Sequence, residues 1–260
     1  MDQTVKKIKI TTLVEDTCPK RPFFGEHGLS LLIETESKKI LFDTGFSGQI
    51  LIHNLNCLNI DLNQIDAFVL SHNHNDHGGG LSHITNFIKD KPMYCASNFH
   101  KGEITESRKI SQEIKNIKYA TKPKEIIPGV WISKEKDSFN SPKPTKEINL
   151  IVNLKNKGLV IIVGCSHHGL DNLIQDAQKL FNNKIPLYAL IGGLHLKDNS
   201  TEEINKMLDK IQKYNFKIIA PNHCTGFNAL KIITERFPNE TLLIKKSDSG
   251  SLYTGMSIVL

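Results

Sequence analysis

Three histidines and one aspartate lie within six consecutive positions of this sequence, directly after an apolar run with the composition of a buried strand. The run is Ala67–Ser71, and residues 72–79 continue it as His-Asn-His-Asn-Asp-His-Gly-Gly. Imidazole nitrogens and carboxylate oxygens are the ligands that zinc and similar divalent ions take in proteins. The two glycines allow a tight turn and let the next helix start close to an ion. The segment therefore predicts a metal site with the ligands His72, His74, Asp76 and His77.

Three later histidines also follow apolar, strand-like runs. They lie in Gly-Cys-Ser-His at 164–167, in Gly-Gly-Leu-His at 192–195 and in Asn-His-Cys-Thr-Gly at 222–226. Loops that follow the strands of a sheet gather at one edge, where binding and catalytic residues concentrate. Three such segments in series therefore favour one shared site that includes His167, His195 and His223.

The order of predicted elements indicates an α/β (α+β) fold. Strand-like runs dominate the first half of the chain, and strands and helices alternate in the second half. Between Met93 and Pro144 prolines interrupt the pattern, so short strands and a surface excursion are expected there. An αββα sandwich, in which two mixed β-sheets are flanked by helices, accounts for this order. Because no linker divides the chain, we expect residues 1–260 to form one domain. The predicted strands are Lys7–Val14, Leu29–Glu34, Lys39–Phe42, Ala67–Ser71, Asn149–Leu154, Leu159–Gly164, Leu187–Ile191, Lys217–Ala220 and a final strand pair, and the predicted helices are Gly48–Leu58, Leu81–Lys89, Leu170–Phe181, Thr201–Tyr214 and Phe227–Phe237.

The composition limits the binding partners and the cellular compartment that we expect for this protein. The formal net charge of +6 comes almost wholly from lysines spread along the chain, and no basic run is interleaved with aromatics, so no nucleic acid partner is expected. No apolar stretch of about 18 residues is present, so no membrane span is expected either. The five cysteines are scattered without a Cys-x-x-Cys pair, and no signal peptide is evident, which favours the reducing cytoplasm. The sequence is compatible with a homo-oligomer.

The histidine cluster is the motif of the metallo-β-lactamase superfamily, which this sequence resembles. Asp-Thr-Gly at 43–45 is similar to an early turn of that superfamily, where the aspartate supports the histidine motif. With Glu-His-Gly-Leu-Ser at 26–30 and the later histidine segments, the sequence resembles one subgroup over nearly its whole length. That subgroup is named for 7,8-dihydropterin-6-methyl-4-(β-D-ribofuranosyl)-aminobenzene-5'-phosphate synthase of the methanopterin pathway. The resemblance implies the metallo-β-lactamase αββα sandwich.

The resemblance also implies roles for the candidate residues. His72 and His74 would bind one divalent ion and Asp76 and His77 a second, with zinc favoured and manganese or iron as alternatives. His167 and His223 resemble the remaining protein ligands, and Asp43 would stand behind the ligands as a hydrogen-bond partner. Asp76 and His195 are assigned to catalysis, His195 through contact with the substrate or transfer of a proton. The predicted metal ligands are thus His72, His74, Asp76, His77, His167 and His223.

The sequence departs from the superfamily at one ligand position. Many related hydrolases have a histidine before the hairpin and an aspartate at its end that bridges two metals. Here no histidine lies between His100 and His167, and the strand ends in Gly-Cys-Ser-His. Either His167 or Cys165 takes the place of the aspartate. If His167 does, Cys165 stands behind the metal ligands, as Asp43 does. One-metal and two-metal occupancy both fit this pattern.

These features favour a metal-dependent hydrolase or transferase that acts on a small anionic substrate, phosphorylated or pterin-like. Condensation of a dihydropterin with a ribofuranosylaminobenzene phosphate is the reaction that the resemblance suggests. The alternatives are hydrolysis of an unidentified ester or phosphodiester, a metallonuclease and a metal-dependent binding module. A metallonuclease usually needs an RNA-clamping arm and concentrated arginine and lysine, and neither is visible in this sequence. A diiron oxidoreductase needs an acidic ligand in the His-x-His turn and a flavin domain, and this sequence shows neither.

Overall fold

The computed structural model describes residues 3–104, 106–138, 145–241 and 253–260. The first of its two large sheets has seven strands, four of them in parallel succession after an antiparallel edge. Its strands, in spatial as well as chain order, are β1 (Lys9–Val14), β2 (Ser30–Glu34), β3 (Lys39–Phe42), β4 (Ala67–Val69), β5 (Met93–Cys95) and β6 (Ile117–Tyr119), and β15 (Ser257–Val259) pairs antiparallel with β1 at the edge.

The second large sheet has six strands and is also mixed. In spatial order they are β7 (Lys124–Ile127), β8 (Val130–Ile132), β11 (Leu150–Leu154), β12 (Gly158–Val163), β13 (Leu187–Gly193) and β14 (Ile218–Asn222). Strands β12, β13 and β14 are parallel, whereas β11 and β12 form the predicted antiparallel hairpin. The short strands β9 (Lys136–Asp137) and β10 (Lys146–Glu147) pair separately beside this sheet.

Helices cover the outer faces of both sheets. The helices are α1 (Gly48–Cys57), α2 (Asn75–Gly78), α3 (Leu81–Ile88), α4 (Ser107–Glu113), α5 (Leu170–Leu180), α6 (Thr201–Gln212) and α7 (Phe227–Arg236). Helices α1, α3 and α4 pack on the first sheet, and α5, α6 and α7 pack on the second. In the part of the chain that is described, no helix is both long and apolar enough to cross a membrane.

The core has three apolar layers because the strands are buried on both faces. In β12, Val160 and Ile162 point between the sheets, and Ile161 and Val163 point toward the helices. A strand covered on both faces has a nearly continuous apolar sequence, as β12 has. The layers therefore follow the order helix, sheet, sheet, helix, and the predicted αββα sandwich of two mixed sheets is confirmed.

Most differences from the predicted elements lie at element ends and in the weakly patterned middle, and the short helix α2 within the histidine cluster was also not predicted. Helix α4 was not predicted, since it is seven residues long and buries only Ser107 and Ile110, too few positions to show a helical period. The predicted strand Leu187–Ile191 extends to Gly193, because Gly192 and Gly193 still pair with β14. Of the predicted final strand pair, β15 is present, and the remainder falls on residues 242–252, outside the described residues, as do residues 139–144 of the predicted excursion.

Candidate metal centre

The candidate site lies at one edge of the sandwich, where strand ends of the first sheet meet strand ends of the second. Strands β1, β3 and β4 run in one direction and deliver their following loops to this edge, as do β12, β13 and β14. Gly164, which follows β12, allows close approach, since a Cβ there would lie 2.3 Å from Ser71 Oγ after β4. The structure brings together all the predicted site residues, which are Asp43, His72, His74, Asp76, His77, Cys165, His167, His195 and His223.

Four donor atoms from different loops form the first group. His77 Nε2 lies 3.1 Å from His223 Nε2 and 3.1 Å from Cys165 Sγ. His223 Nε2 lies 3.2 Å from Asp76 Oδ2. These ligand atoms all lie within 4.8 Å of one another, and donors to a single divalent ion converge in this way.

A second group adjoins the first and shares one residue with it. Ligand atoms of His72, Cys165 and His167 lie within 4.8 Å of one another. His74 belongs beside them, because its Nδ1 is 3.1 Å from His72 Nε2 and its ring centroid is 4.9 Å from that of His167. The sequence predicts a place behind the ligands for Cys165 if His167 replaces the bridging aspartate. In the structure, the sulfur of Cys165 lies among the donor atoms of both groups.

Hydrogen bonds to Nδ1 orient the rings of His77 and His223 so that Nε2 of each faces the other donor atoms. His77 Nδ1 lies 2.7 Å from Asp43 Oδ2, and His223 Nδ1 lies 2.7 Å from Asp16 Oδ1. A carboxylate accepts, so each Nδ1 carries the hydrogen and each Nε2 presents a lone pair to the centre. Two lone pairs 3.1 Å apart repel each other unless a proton or a cation lies between them. The donor set therefore fits a divalent ion.

The pKa shifts divide the imidazoles of the site into two pairs, one with lowered and one with raised pKa values. Burial, followed by the charge of His167, lowers the pKa of His74 to about 4, and burial also lowers the pKa of His72. Burial acts in the same direction on His77 and His223, but nearby anionic groups, with Asp76 among them, raise the pKa of both rings. Metal ligands must be deprotonated, and a divalent ion can replace the proton that these anionic groups attract.

A buried glutamate fixes the loop that carries two of the candidate ligands. The Glu147 carboxylate accepts hydrogen bonds from the backbone N–H groups of Cys165, Ser166 and His167, at 2.8, 2.9 and 2.6 Å. Burial raises the pKa of Glu147, but hydrogen bonding to His168 and the adjoining positive charges outweigh it and lower the pKa to about 2. Glu147 is therefore ionised and holds the loop against the end of β12.

Sequence reasoning missed Glu147 and Asp16 as parts of the site. Asp16 lies two residues after the end of β1 and binds His223 and also His27, whose Nδ1 lies 2.9 Å from Asp16 Oδ2. Its position after a strand, like that of the other site residues, was the available signal. Glu147 had no such local signal, since it acts through backbone groups 18 to 20 residues away.

A pocket of about 300 Å³ opens over the donor atoms. His195 lies on its wall, and its ring centroid is 4.4 Å from that of His167. The backbone of His195 has a φ of 51°, an unusual conformation for a non-glycine residue and one that clusters at functional sites. His195 lies outside the four-donor group that contains His223, and its ligand atom lies within 4.8 Å of those of Cys165 and Cys224.

The comparisons with known proteins agree with this geometry. Residues 24–175 match the model of the metallo-β-lactamase superfamily, which is more than half of the chain. The chain belongs to the metallo-β-lactamase superfamily. A relative from Methanocaldococcus jannaschii, named 7,8-dihydropterin-6-methyl-4-(β-D-ribofuranosyl)-aminobenzene-5'-phosphate synthase, is 34% identical over 91% of this chain and 94% of its own length.

Solved structures of superfamily members share the fold. One is Tm1679, described as a metal-dependent hydrolase of the β-lactamase superfamily, with a TM-score of 0.78 and 24% identity over 96% of this chain and 98% of that chain. Another is the metallo-β-lactamase fold protein YhfI from Bacillus subtilis, with a TM-score of 0.64 and 14% identity over 98% of this chain and 100% of that chain. At these identities the likeness concerns the fold, and the chemistry must be argued from the site.

Replacing Asp43 by asparagine is expected to weaken metal binding by roughly 10–100-fold, because the carboxylate that orients His77 loses its charge. Asp43 also accepts from Ser71 N and Ser71 Oγ, each at 2.7 Å, so circular dichroism must show that the fold persists. The measurement is a titration in competition with a chelator. Asp66→Asn is the control, since Asp66 binds Lys38 and Lys39 away from the centre. Unfolding of the Asp43 variant with no separable change in metal binding would leave Asp43 a purely structural residue.

Proposed function

We propose that this protein is a metal-dependent enzyme that acts on a small anionic substrate. The observation that carries the proposal is the convergence of four donor atoms from Asp76, His77, Cys165 and His223 beneath an open pocket. With His72, His74 and His167 they would hold one or two divalent ions, zinc in preference to manganese or iron. An ion bound there supplies Lewis-acid polarisation of a substrate oxygen and neutralises developing negative charge.

Two side chains on the pocket wall support an anionic substrate with a planar ring. Lys197 lines the pocket, and no ion pair of its ammonium group is found among the described residues. Phe46 also lines the pocket and is 53% exposed, although large apolar side chains are usually covered. We infer that Lys197 binds the anionic group and that Phe46 stacks on the ring.

The turn that carries Phe46 is held in place by close backbone packing. A Cβ at Gly28 would lie 2.9 Å from Phe46 N, and one at Gly79 would lie 2.2 Å from Phe46 O, so neither position has room for a side chain. The next residue, Ser47, donates its N–H to Glu26 Oε1 at 2.7 Å. A rigid exposed aromatic at the mouth of a pocket suits recognition of a flat ligand, because little conformational entropy is lost on binding.

The pocket also contains groups that can move a proton. Asp76 and His195 both line it, and we assign Asp76 to accept a proton from the attacking group and His195 to hydrogen-bond the substrate or transfer a proton. The name of the Methanocaldococcus jannaschii relative contains a dihydropterin, an aminobenzene and a 5'-phosphate, which match a planar, anionic substrate. We therefore propose condensation of a dihydropterin with a ribofuranosylaminobenzene phosphate, and hydrolysis of an ester or phosphodiester is the alternative.

The test is turnover by the metal-loaded protein on two substrate sets. The first set is a dihydropterin pyrophosphate with an aminobenzene ribotide, followed by pyrophosphate release, and the second is a panel of phosphate esters, phosphodiesters and carboxylic esters. Pyrophosphate release with coupled product would support the transferase, and turnover of the panel alone would support the hydrolase. An RNA oligonucleotide tests the metallonuclease alternative, and we expect no cleavage. Failure of every substrate with metal bound would contradict the proposal.

Lys197→Gln is expected to raise KM by about 10-fold on the active substrate with little change in kcat, because one charge-assisted contact is lost. The control is Lys155→Gln, which removes a lysine from the turn at the opposite end of β12. Steady-state kinetics of both variants distinguish a change in KM from a change in kcat. Equal changes in both variants, or a change in kcat without a change in KM, would contradict a binding role for Lys197.

A further inference from the structure

We propose that His27 positions the attacking nucleophile, a substrate amine or a water, by accepting one of its hydrogens beside Asp76. His27 lies in the Glu-His-Gly-Leu-Ser segment at 26–30, to which the proposed function assigns no role. Its ring lines the same pocket as Asp76, and its side chain is 52% exposed, so a bound substrate can reach it. The inference rests on the proposed function and deepens it, because it names the group that holds the nucleophile.

One ring nitrogen of His27 is already used within the protein. Its Nδ1 lies 2.9 Å from Asp16 Oδ2, and a carboxylate accepts, so Nδ1 carries the hydrogen of this bond. A neutral imidazole has one donor and one acceptor nitrogen, which leaves Nε2 as the acceptor. This Nε2 lies 3.5 Å from Asp76 Oδ2. The pocket wall therefore presents two acceptor atoms side by side.

Two acceptors at this separation fit a donor atom that carries two hydrogens. Such an atom can donate one hydrogen to His27 Nε2 and the other to Asp76 Oδ2, each over roughly 2.7–3.2 Å. A primary amine and a water both have this form, whereas an alcohol has one hydrogen to donate. When both hydrogens are held, the lone pair of the attacking atom points away from the two acceptors and into the pocket, where the second reactant binds.

The loop that carries His27 is fixed relative to Asp76. Gly28 donates its N–H to Asp16 Oδ1 at 3.2 Å, and Leu29 donates its N–H to the backbone oxygen of Asp76 at 3.0 Å. A Cβ at Gly28 would lie 2.5 Å from that same oxygen, so only glycine allows this approach. A contact held by backbone bonds in this way loses little entropy when the nucleophile binds.

A purely structural role for His27 would act through Asp16. The other oxygen of Asp16 lies 2.7 Å from Nδ1 of His223, and the ring centroids of His27 and His223 are 5.1 Å apart. In that role His27 would only hold Asp16 and, through it, the candidate metal ligand His223. The two roles use different ring nitrogens, because Nδ1 contacts Asp16 and Nε2 faces the nucleophile. Two amide substitutions therefore distinguish them.

The experiment compares the metal-loaded wild type, His27→Asn, His27→Gln and His83→Gln in steady-state kinetics. An asparagine amide can take the place of Nδ1 and keep the bond to Asp16, whereas a glutamine oxygen can accept a hydrogen near the place of Nε2. His83 is exposed on α3 and does not line the pocket, so it provides the control. Binding of the aminobenzene ribotide is measured by isothermal titration calorimetry, metal per chain by elemental analysis, and folding by circular dichroism.

His27→Asn is expected to raise the KM and the Kd for the aminobenzene ribotide about 10-fold, because one hydrogen bond to the amine is lost. The KM for the dihydropterin pyrophosphate and the metal content should stay unchanged. With the ester panel, where the nucleophile is water, kcat should fall about 10-fold at unchanged KM. His27→Gln should recover most of either loss, and His83→Gln should show neither.

The proposal would be overturned if His27→Asn had the kinetics of the wild type. A loss in His27→Gln that His27→Asn does not share would also overturn it and would assign His27 to support of Asp16, as would a loss of metal from His27→Asn. A metal-loaded wild type without turnover on any substrate would overturn the proposed function and this inference with it. Turnover by the wild type therefore distinguishes the failure of this inference alone from the failure of both.

Discussion

Replacement of His195 by alanine is expected to lower turnover by about 100-fold or more while metal content stays unchanged. His195 lines the pocket beside His167, but it lies outside the donor group of Asp76, His77, Cys165 and His223. An imidazole on the pocket wall can hydrogen-bond a substrate or transfer a proton, and alanine can do neither. The measurements are kcat on the active substrate and metal per chain by elemental analysis.

His223→Ala is the matched comparison, and it is expected to lose both metal and turnover. The His223 Nε2 atom lies 3.1 Å from His77 Nε2 and 3.2 Å from Asp76 Oδ2, at the centre of the donor group. Both histidines follow parallel strands of the same sheet, so the two variants disturb similar backbone. Metal loss from the His195 variant together with metal retention in the His223 variant would mean that their roles are exchanged.

Much of the fold was predictable because each layer leaves a periodic trace in the sequence. The continuous apolar run of β12 identifies a strand buried on both faces, and α6 has the apolar spacing of a helix with one buried side and a capping box at Ser200. The β7–β8 pair and α4 lacked such traces because they are short and bury few side chains. The position of β8 depends on its pairing with β11, which lies far from it in the sequence.

The candidate site was predictable where chemistry and strand ends coincide. His72, His167 and His223 each follow a strand, and parallel strands that run in one direction deliver such residues to one edge. The supporting carboxylates were not predictable in this way. Asp16 contacts His223 across 207 residues, and Glu147 acts on the backbone of another segment, so neither contact has a spacing that sequence could show.

The choice between Cys165 and His167 as the shared residue could not be made from sequence, since they stand two positions apart in one loop. In the structure the two residues differ in the donor groups to which their ligand atoms belong. The sulfur of Cys165 lies among the donors of both groups, and His167 lies among the donors of one. The backbone bonds to Glu147 set these directions, and they depend on the folded loop.

Metal content tests the central claim most directly. The purified protein is expected to carry about one to two equivalents of zinc, manganese or iron per chain. The double variant His72→Ala/His74→Ala should lose at least half of it, because His72 Nε2 and His74 Nδ1 lie 3.1 Å apart in one donor group. The control is His53→Ala/His83→Ala, whose rings lie outside the described donor groups.

Elemental analysis of the wild type and both double variants, at equal protein concentration and with folding checked by circular dichroism, is the deciding measurement. The account predicts metal in the wild type and in the His53/His83 control, and clear loss in the His72/His74 variant. Unchanged metal content in the His72/His74 variant, or a folded wild type that takes up none of the three metals when they are supplied, would contradict it.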